Sequence, residues 1–323
     1  MNSESINTIV SAVIVTAGLS QYLKECIYSL QNQSFGAVEI ILIDNSLNPG
    51  FSRSIRQIYP EVKLHVNPEN LYYCQAMNTG IDMSRGDFIL CLNDDVILEK
   101  NFIQNALKGF EKHARIGMVS GKTLRLDKET IDTTGLFLSP WRTAKDRGYG
   151  SLDCGRYEKE GYVFGVNGAA AFYRKAMLEE VKIEGEYFDS DYNIFYEDLD
   201  IAWRAHNLGW RCFYVPAAVA YHARGQTVRR AEGIGKSKAR LYLSNELNYD
   251  LIKNRCLTII KNEKAMSFLL HLPFIFAYDI ISLLYILIFR PAAFKRLLFA
   301  PLPLASSFRK RKKIFMKVNR KIA

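Results

Sequence analysis

Residues 9–92 alternate short β-rich runs with helical stretches, and this alternation limits the possible folds more than any other feature of the chain. The runs at 9–15, 39–43, 62–66 and 87–92 are dense in Val, Ile and Leu and predict strands. Between them, residues 21–31 place Leu23, Ile27 and Leu30 on one face, and residues 75–83 run up to the breaker Gly86, so both predict helices. Strand, helix, strand, helix predicts a parallel sheet with helices on both faces, an α/β domain. Ligands of such sheets sit beyond the carboxyl ends of the strands. Here those ends carry Asp44-Asn45 and Asn93-Asp94-Asp95.

Farther along, residues 121–161 are rich in Gly, Thr and charge and predict an irregular connector or acceptor-side region. Residues 165–174 predict a Gly/Ala-rich turn entering a strand, and residues 197–208 a helix that opens on acids. A strand over 212–215 ends at Pro216, and a helix over 239–261 repeats Leu243, Leu247 and Leu251 before the apolar run 266–289. This organisation predicts an α/β domain over residues 1–230 and a helical, apolar and basic region over 231–323. Gly117 and Gly121-Lys122-Thr123 have three residues between the glycines where a P-loop needs four, and no G-x-G-x-x-G follows the first strand. Both omissions argue against those nucleotide-binding classes.

The acids suggest two chemical roles. Paired carboxylates at a strand end, Asp94 and Asp95, suit a hard divalent ion that neutralises a diphosphate, although such pairs also serve as plain caps or surface acids. Glu197-Asp198, followed by Asp200, supplies a candidate base for a hydroxyl nucleophile; the plainer reading is an acidic first turn that complements a helix dipole. His222, just beyond a strand, either completes an Asp/His metal site or is structural. Trp141, in the irregular connector, is a candidate for stacking on a sugar ring.

Over residues 9–225 these pieces occur in an order that resembles the family 2 glycosyltransferases of the GT-A fold, especially their bacterial rhamnosyltransferase-like branch. The matching segments are VIVT (13–16), EIILIDNS (39–46), NLYYCQAMNTGI (70–81), GDFILCLNDDV (86–96) and FYEDLDIAWRAHNLGW (195–210). The resemblance implies an inverting transferase that uses Mn²⁺ or Mg²⁺ and a nucleotide-diphospho-sugar, with thymidine or uridine as the nucleoside. Asp44 would contact the base, and Thr16, Asn70, Asn78, Asp94 and Asp95 would line the donor site. Asp95, Asp94 and His222 would hold the metal, Asp198 would be the base with Glu197 and Asp200 in support, and Asn167 and Gly168 would face the acceptor. Rhamnose moved to a glycan or lipid-linked acceptor, in cell-surface polysaccharide synthesis, is the implied transfer. Three positions depart from the pattern: Thr16-Ala17-Gly18 replaces Thr-Tyr-Asn, Tyr72 replaces a Gly, and Asn93 replaces an acid. They keep open a catalytically silent nucleotide-binding or membrane assembly module of the same fold.

Eight of the 43 Lys and Arg fall between Arg309 and Lys321 without an acid, so the rest of the chain is almost balanced against its 33 Asp and Glu. Following an apolar run and lacking interleaved aromatics, this tail predicts attraction to anionic lipid rather than to nucleic acid. The run 266–289 is long enough to cross a bilayer, but it contains His271, Pro273 and Asp279, and a crossing would export the basic tail. An interfacial or re-entrant anchor is the better expectation, with a span or a buried core helix as alternatives. Six scattered cysteines without a C-x-x-C pair, and an opening 1–11 without a secretory pattern, predict the cytoplasmic side.

Overall fold

A computed structural model describes residues 9–18, 21–224, 243–300 and 302–322. In chain order, the first half comprises β1 (Val10–Thr16), α1 (Leu23–Gln31), β2 (Val38–Asp44), α2 (Pro49–Ile58), β3 (Lys63–Val66), α3 (Tyr72–Met83), β4 (Phe88–Asn93), β5 (Val96–Leu98) and α4 (Phe102–Glu111). There follow β6 (Ile116–Arg125), β7 (Ile131–Thr133), β8 (Leu136–Leu138), β9 (Ala144–Asp146), β10 (Gly161–Val163), β11 (Ala170–Arg174), α5 (Lys175–Val181), α6 (Glu197–Asn207) and β12 (Arg211–His222). The C-terminal helices are α7 (Asn245–Asn262), α8 (Ala265–Phe289), α9 (Pro291–Phe299) and α10 (Leu304–Ile322).

The main sheet runs β10-β12-β6-β11-β4-β1-β2-β3, with β5 and β7 paired at its side. The four early strands are parallel neighbours, as their pattern predicts, and two apolar cores fill the two faces of the sheet. Their register sets Thr16 beside Asp44 and Val15 beside Asn93, so the polar ends of three strands share one edge. The sheet is mixed rather than wholly parallel, because β11 runs antiparallel to both β4 and β6. Strands buried on both faces read as continuous apolar runs in either direction, so composition could not show this reversal. Residues 121–161 are also more regular than predicted: β6 continues through Gly121, Lys122 and Thr123, and β8 pairs with β9 as a hairpin.

The boundary placed at residue 230 lies outside the described residues. On its far side, the helices are not a detached appendage. Helix α10 packs on α7, and its Ile314 and Val318 join the core of the α/β domain. Its bases are largely committed to that domain: Arg309 and Lys313 pair with Glu184, Lys310 with Asp189 and Asp191, and Lys321 with Glu180. Lys317 donates to the carbonyls of Glu180 and Lys182. The basic tail is thus a docked helix rather than a free arm: four of its eight bases pair with acids of the α/β domain, and Arg311 and Lys317 donate to backbone carbonyls.

Residues 265–289 form one unbroken helix through Pro273, which corrects both the re-entrant and the core alternatives. Only 17% of its most apolar window is buried. Its polar residues turn inward: Asp279 pairs with Arg255, and Arg142 donates to the Ser267 hydroxyl at 2.7 Å and lies 2.9 Å from His271 Nδ1.

Candidate functional site

At the end of β4 the chain turns, and β5 pairs with the end of β12 so that His222 stands opposite Val96. This register brings His222 Nε2 to 3.2 Å from Asp95 Oδ1. On the other side of the ring, Nδ1 lies 2.9 Å from Oδ2 of the fully buried Asp132 on β7. Burial opposes a charge on His222, but the two carboxylates outweigh it and push the imidazole up to about 9. Asp94 is held separately. Its Oδ2 accepts a 2.7 Å hydrogen bond from the Thr16 hydroxyl, and burial, opposed by that bond and reinforced by Asp95, pushes it up to about 6.

Among the described residues, no three His, Cys, Asp or Glu side chains converge as a self-sufficient metal cage. The donor set nevertheless fits a hard or borderline divalent ion in part: a carboxylate and an imidazole share one face, and Asp132 orients the ring as a carboxylate partner orients a ligating histidine. Such a site would need oxygens from a diphosphate to complete it.

The second group of acids stands at the N-terminus of α6. Phe195 and Tyr196 both adopt left-handed backbone (φ 71° and 70°), a strained pair that ends the loop at Glu197. The buried Asn254 of α7 secures this turn by donating to the carbonyls of Ile194 and Phe195 at 2.8 and 2.9 Å. Asp198 Oδ2 accepts from the Gly168 N–H at 3.2 Å, while Oδ1 accepts from the Leu199 N–H at 2.7 Å. Burial, then repulsion from Asp146, holds Asp198 above the ordinary carboxylate range. Glu197 is raised further, by burial and then by Asp198, and its buried Oε2 lacks a hydrogen-bond partner. A side chain at Gly168 would approach Glu197 Oε1 to 3.4 Å, so glycine keeps the space over the acids open.

A chain of polar contacts connects the two groups. Arg224 binds Asp132 and lies 4.0 Å from Asp146, and Asp146 accepts from Asn167 at 2.9 Å. The backbone N–H of Asn93 donates to Ala169 O at 2.9 Å, which places the strand end carrying Asp94 and Asp95 beside the Gly168 turn.

Of the residues singled out in the sequence, Thr16, Asp94, Asp95, His222, Asn167, Gly168, Glu197 and Asp198 thus gather at this edge. Five others are placed differently. Asp44 is fully buried, with its oxygens taken by the Ser46 N–H and the Ser52 hydroxyl, so it shapes the loop and offers no surface to a base. Asn70 is exposed and accepts from the Tyr72 N–H, and Asn78 clamps the backbone of Phe188 through both of its amide atoms. Asp200 turns into the protein, bound by Arg204, Asn262 and Lys261. Trp141 packs edge-to-face on Phe274 of α8.

Asp132, Asp146 and Asn254 were not found from the sequence; each acts through a long-range contact with no local motif. Arg224 lies two residues after His222 but carried no assigned role. Tyr72 explains its own departure: its φ of 54° is a conformation that glycine adopts freely.

The family model described as Glycosyl transferase family 2 matches residues 11–181. The chain is 23% identical over 230 residues to the poly-β-1,6-N-acetyl-D-glucosamine synthase of Staphylococcus aureus (strain COL), covering 68% of this chain and 50% of that protein. It thus spans about half the length of the curated relatives it matches. Among solved structures, TarS 1-349 of S. aureus in complex with UDP-GlcNAc aligns with a TM-score of 0.56 at 16% identity, covering 97% of this chain and 83% of that one. The mannosyltransferase PcManGT of Pyrobaculum calidifontis, in complex with GDP-Man and Mn²⁺, aligns at 0.55 with 14% identity, covering 97% and 86%. At these identities the structural likenesses establish a shared fold of the GT-A type.

Proposed function

We propose, from the premise that this chain belongs to glycosyl transferase family 2, that it moves a sugar from a nucleotide-diphospho-sugar to an acceptor hydroxyl with inversion, in cell-surface polysaccharide synthesis at the cytoplasmic side of a membrane. The observation that carries this reading is Asp198. It is a partly exposed carboxylate with a raised proton affinity, set at the sheet edge where the strand-end acids gather.

In this reading Asp198 takes the proton of the acceptor hydroxyl, whose oxygen forms a bond to the anomeric carbon. The bond from that carbon to the diphosphate oxygen breaks, and its electron pair leaves with the nucleotide diphosphate. The Gly168 and Leu199 N–H groups hold the Asp198 carboxylate in place, and Asn167 and Gly168 border the acceptor. Asp95 and His222 would hold a divalent ion, with Asp94 and Thr16 beside it; when bound, the ion supplies charge neutralisation for the diphosphate. Support for divalent-ion use is the Mn²⁺ in the mannosyltransferase complex.

The donor reading has two forms. The resemblance to the rhamnosyltransferase-like branch implies a rhamnosyl donor on thymidine diphosphate, whereas the S. aureus synthase carries N-acetylglucosamine in its name and TarS was solved with UDP-GlcNAc. Calorimetric titration with thymidine, uridine and guanosine diphosphates, each with and without Mn²⁺, separates them. Metal-dependent binding of one nucleotide is the expected result, lost in Asp95→Ala and kept in Asp198→Asn. Equal affinity in Asp95→Ala would overturn the metal assignment.

A further inference from the structure

The order of the sheet fixes the direction in which a bound nucleotide extends. Strand β4, which leads to Asp94 and Asp95, has β1 on one side and β11 on the other. The β11 side carries the Gly168 turn and Asp198 beside it, where the acceptor enters. A donor whose diphosphate lies at Asp94 and Asp95 therefore runs the other way, across the end of β1 to the end of β2. That is two strand spacings, about 10 Å, a distance that a nucleoside diphosphate covers. Its base then falls at the loops that follow β2 and β3.

The polar side chains at the end of β2 are engaged in building those loops. Asp44 is buried between Ser46 and Ser52. Asn45 Oδ1 accepts from Asn67 at 2.6 Å, and its amide donates to the Tyr72 carbonyl at 3.0 Å. The Asn45 N–H donates to Thr16 O at 2.8 Å, so the first residue of α3 is fastened to the ends of β1 and β2. The residue after it is fastened to the far side of the cleft: the Tyr73 N–H donates to Asn193 O, and its hydroxyl to Gly168 O at 3.4 Å.

Tyr72 stands between these anchors. Its φ of 54° is costly for an aromatic residue, and its side chain is 57% exposed, so it contributes little burial in return. Leu47, in the loop after β2, is likewise exposed and left-handed. The end of β1 is small, with Ala17 and Gly18; a side chain at Gly18 would stand 3.7 Å from Ser46, so the loops after β1 and β2 lie against each other. A rigidly held, exposed ring with apolar and small neighbours suits the face of a planar heterocycle.

Resting on the transferase reading above, we infer that Tyr72 is the platform on which the nucleobase of the donor stacks, so that the base is held by its face and not by the Asp44 carboxylate. Calorimetry of the full chain with uridine and thymidine diphosphates in Mn²⁺ tests this, with inorganic pyrophosphate, which lacks a base, as a competitor. Tyr72→Ala should weaken the nucleotide that the parent binds by about 5- to 150-fold, the range of one base–aromatic stack, while pyrophosphate competes as before. Tyr72→Phe should keep the parent's affinity. Tyr72→Gly, which suits the left-handed backbone and so guards against misfolding, should lose affinity as Tyr72→Ala does. Unchanged nucleotide affinity in the Ala and Gly variants would overturn the inference. An equal loss of pyrophosphate would make Tyr72 a brace for the whole site, and a raised acceptor KM with nucleotide binding intact would assign the ring to the acceptor; either result overturns it as well. Metal-dependent nucleotide binding by the parent separates the two readings: its presence with insensitive Tyr72 variants removes only this inference, and its absence from the folded parent removes the transferase reading and this inference with it.

Discussion

Asp198 illustrates how little of a catalytic residue lies in its own identity. An acidic first turn is ordinary helix chemistry, and Asp200, two residues on, serves that structural end. What distinguishes Asp198 is its setting between the Gly168 N–H and Asp146. Asp198→Asn should lower transfer by about 10²–10⁴-fold with nucleotide affinity unchanged, measured by initial rates and calorimetry. Because the base must be ionised, the rate should rise with pH along a limb displaced above about 4, the ordinary Asp value. Asp146→Asn removes a repulsion and should move that limb to lower pH. Glu197 is raised even more, so the folded state holds its proton over a range where the unfolded chain has lost it. Its effect on stability is absent below about 4 and becomes a penalty as pH rises through neutrality. Glu197→Gln should therefore be more stable than the parent at pH 8, on the order of 1 kcal/mol, with the difference vanishing near pH 4 in denaturant titrations.

At the scale of elements, the C-terminal helices prove to be parts of the site's frame. Asn254 of α7 holds the strained turn before Glu197, which no pattern in residues 239–261 suggested. Asn254→Ala should lower the transfer rate while the donor still binds, and it should lose about 1–3 kcal/mol of stability from the unsatisfied carbonyls. Helix α10 is clasped through Asp189, whose ionised form is disfavoured by burial but favoured more strongly by Lys261 and Lys310, so that its proton affinity falls far below the usual range. Such a depressed acid stabilises the fold above about pH 4 and loses that contribution as pH falls. Lys310→Ala leaves Asp189 with Lys261 as its remaining cation and should destabilise by about 1–3 kcal/mol, the loss of charge-assisted bonds at a buried acceptor. Lys312→Ala, on the exposed side of α10, should stay within about 0.5 kcal/mol, so thermal melts of the two variants test the clasp.

For the whole molecule, folding the basic tail onto the body changes how the protein would meet a membrane. With most of those charges engaged, the membrane-side location proposed above would rest on the exposed apolar face of α8 and α9 rather than on electrostatic attraction. Flotation should show binding to vesicles that persists when salt rises from about 0.1 to about 0.5 M, since screening weakens exposed charge pairs and leaves apolar burial intact. Much of the architecture was legible in advance: β1, β2, β4, α3 and α6, the polar strand ends, and the acids at 94–95 and 197–198 all follow from local periodicity and order. Hydrophobic period and turn chemistry act over a few residues, so a sequence alone determines them. The direction of β11, the pairing of His222 with Asp132, the inward turn of Asp44 and Asp200, the grip of Asn254 and the docking of α10 were decided by the tertiary structure. Each depends on which distant groups meet in a low-dielectric interior, where a carboxylate's partner, and not its type, determines whether it binds, braces or reacts.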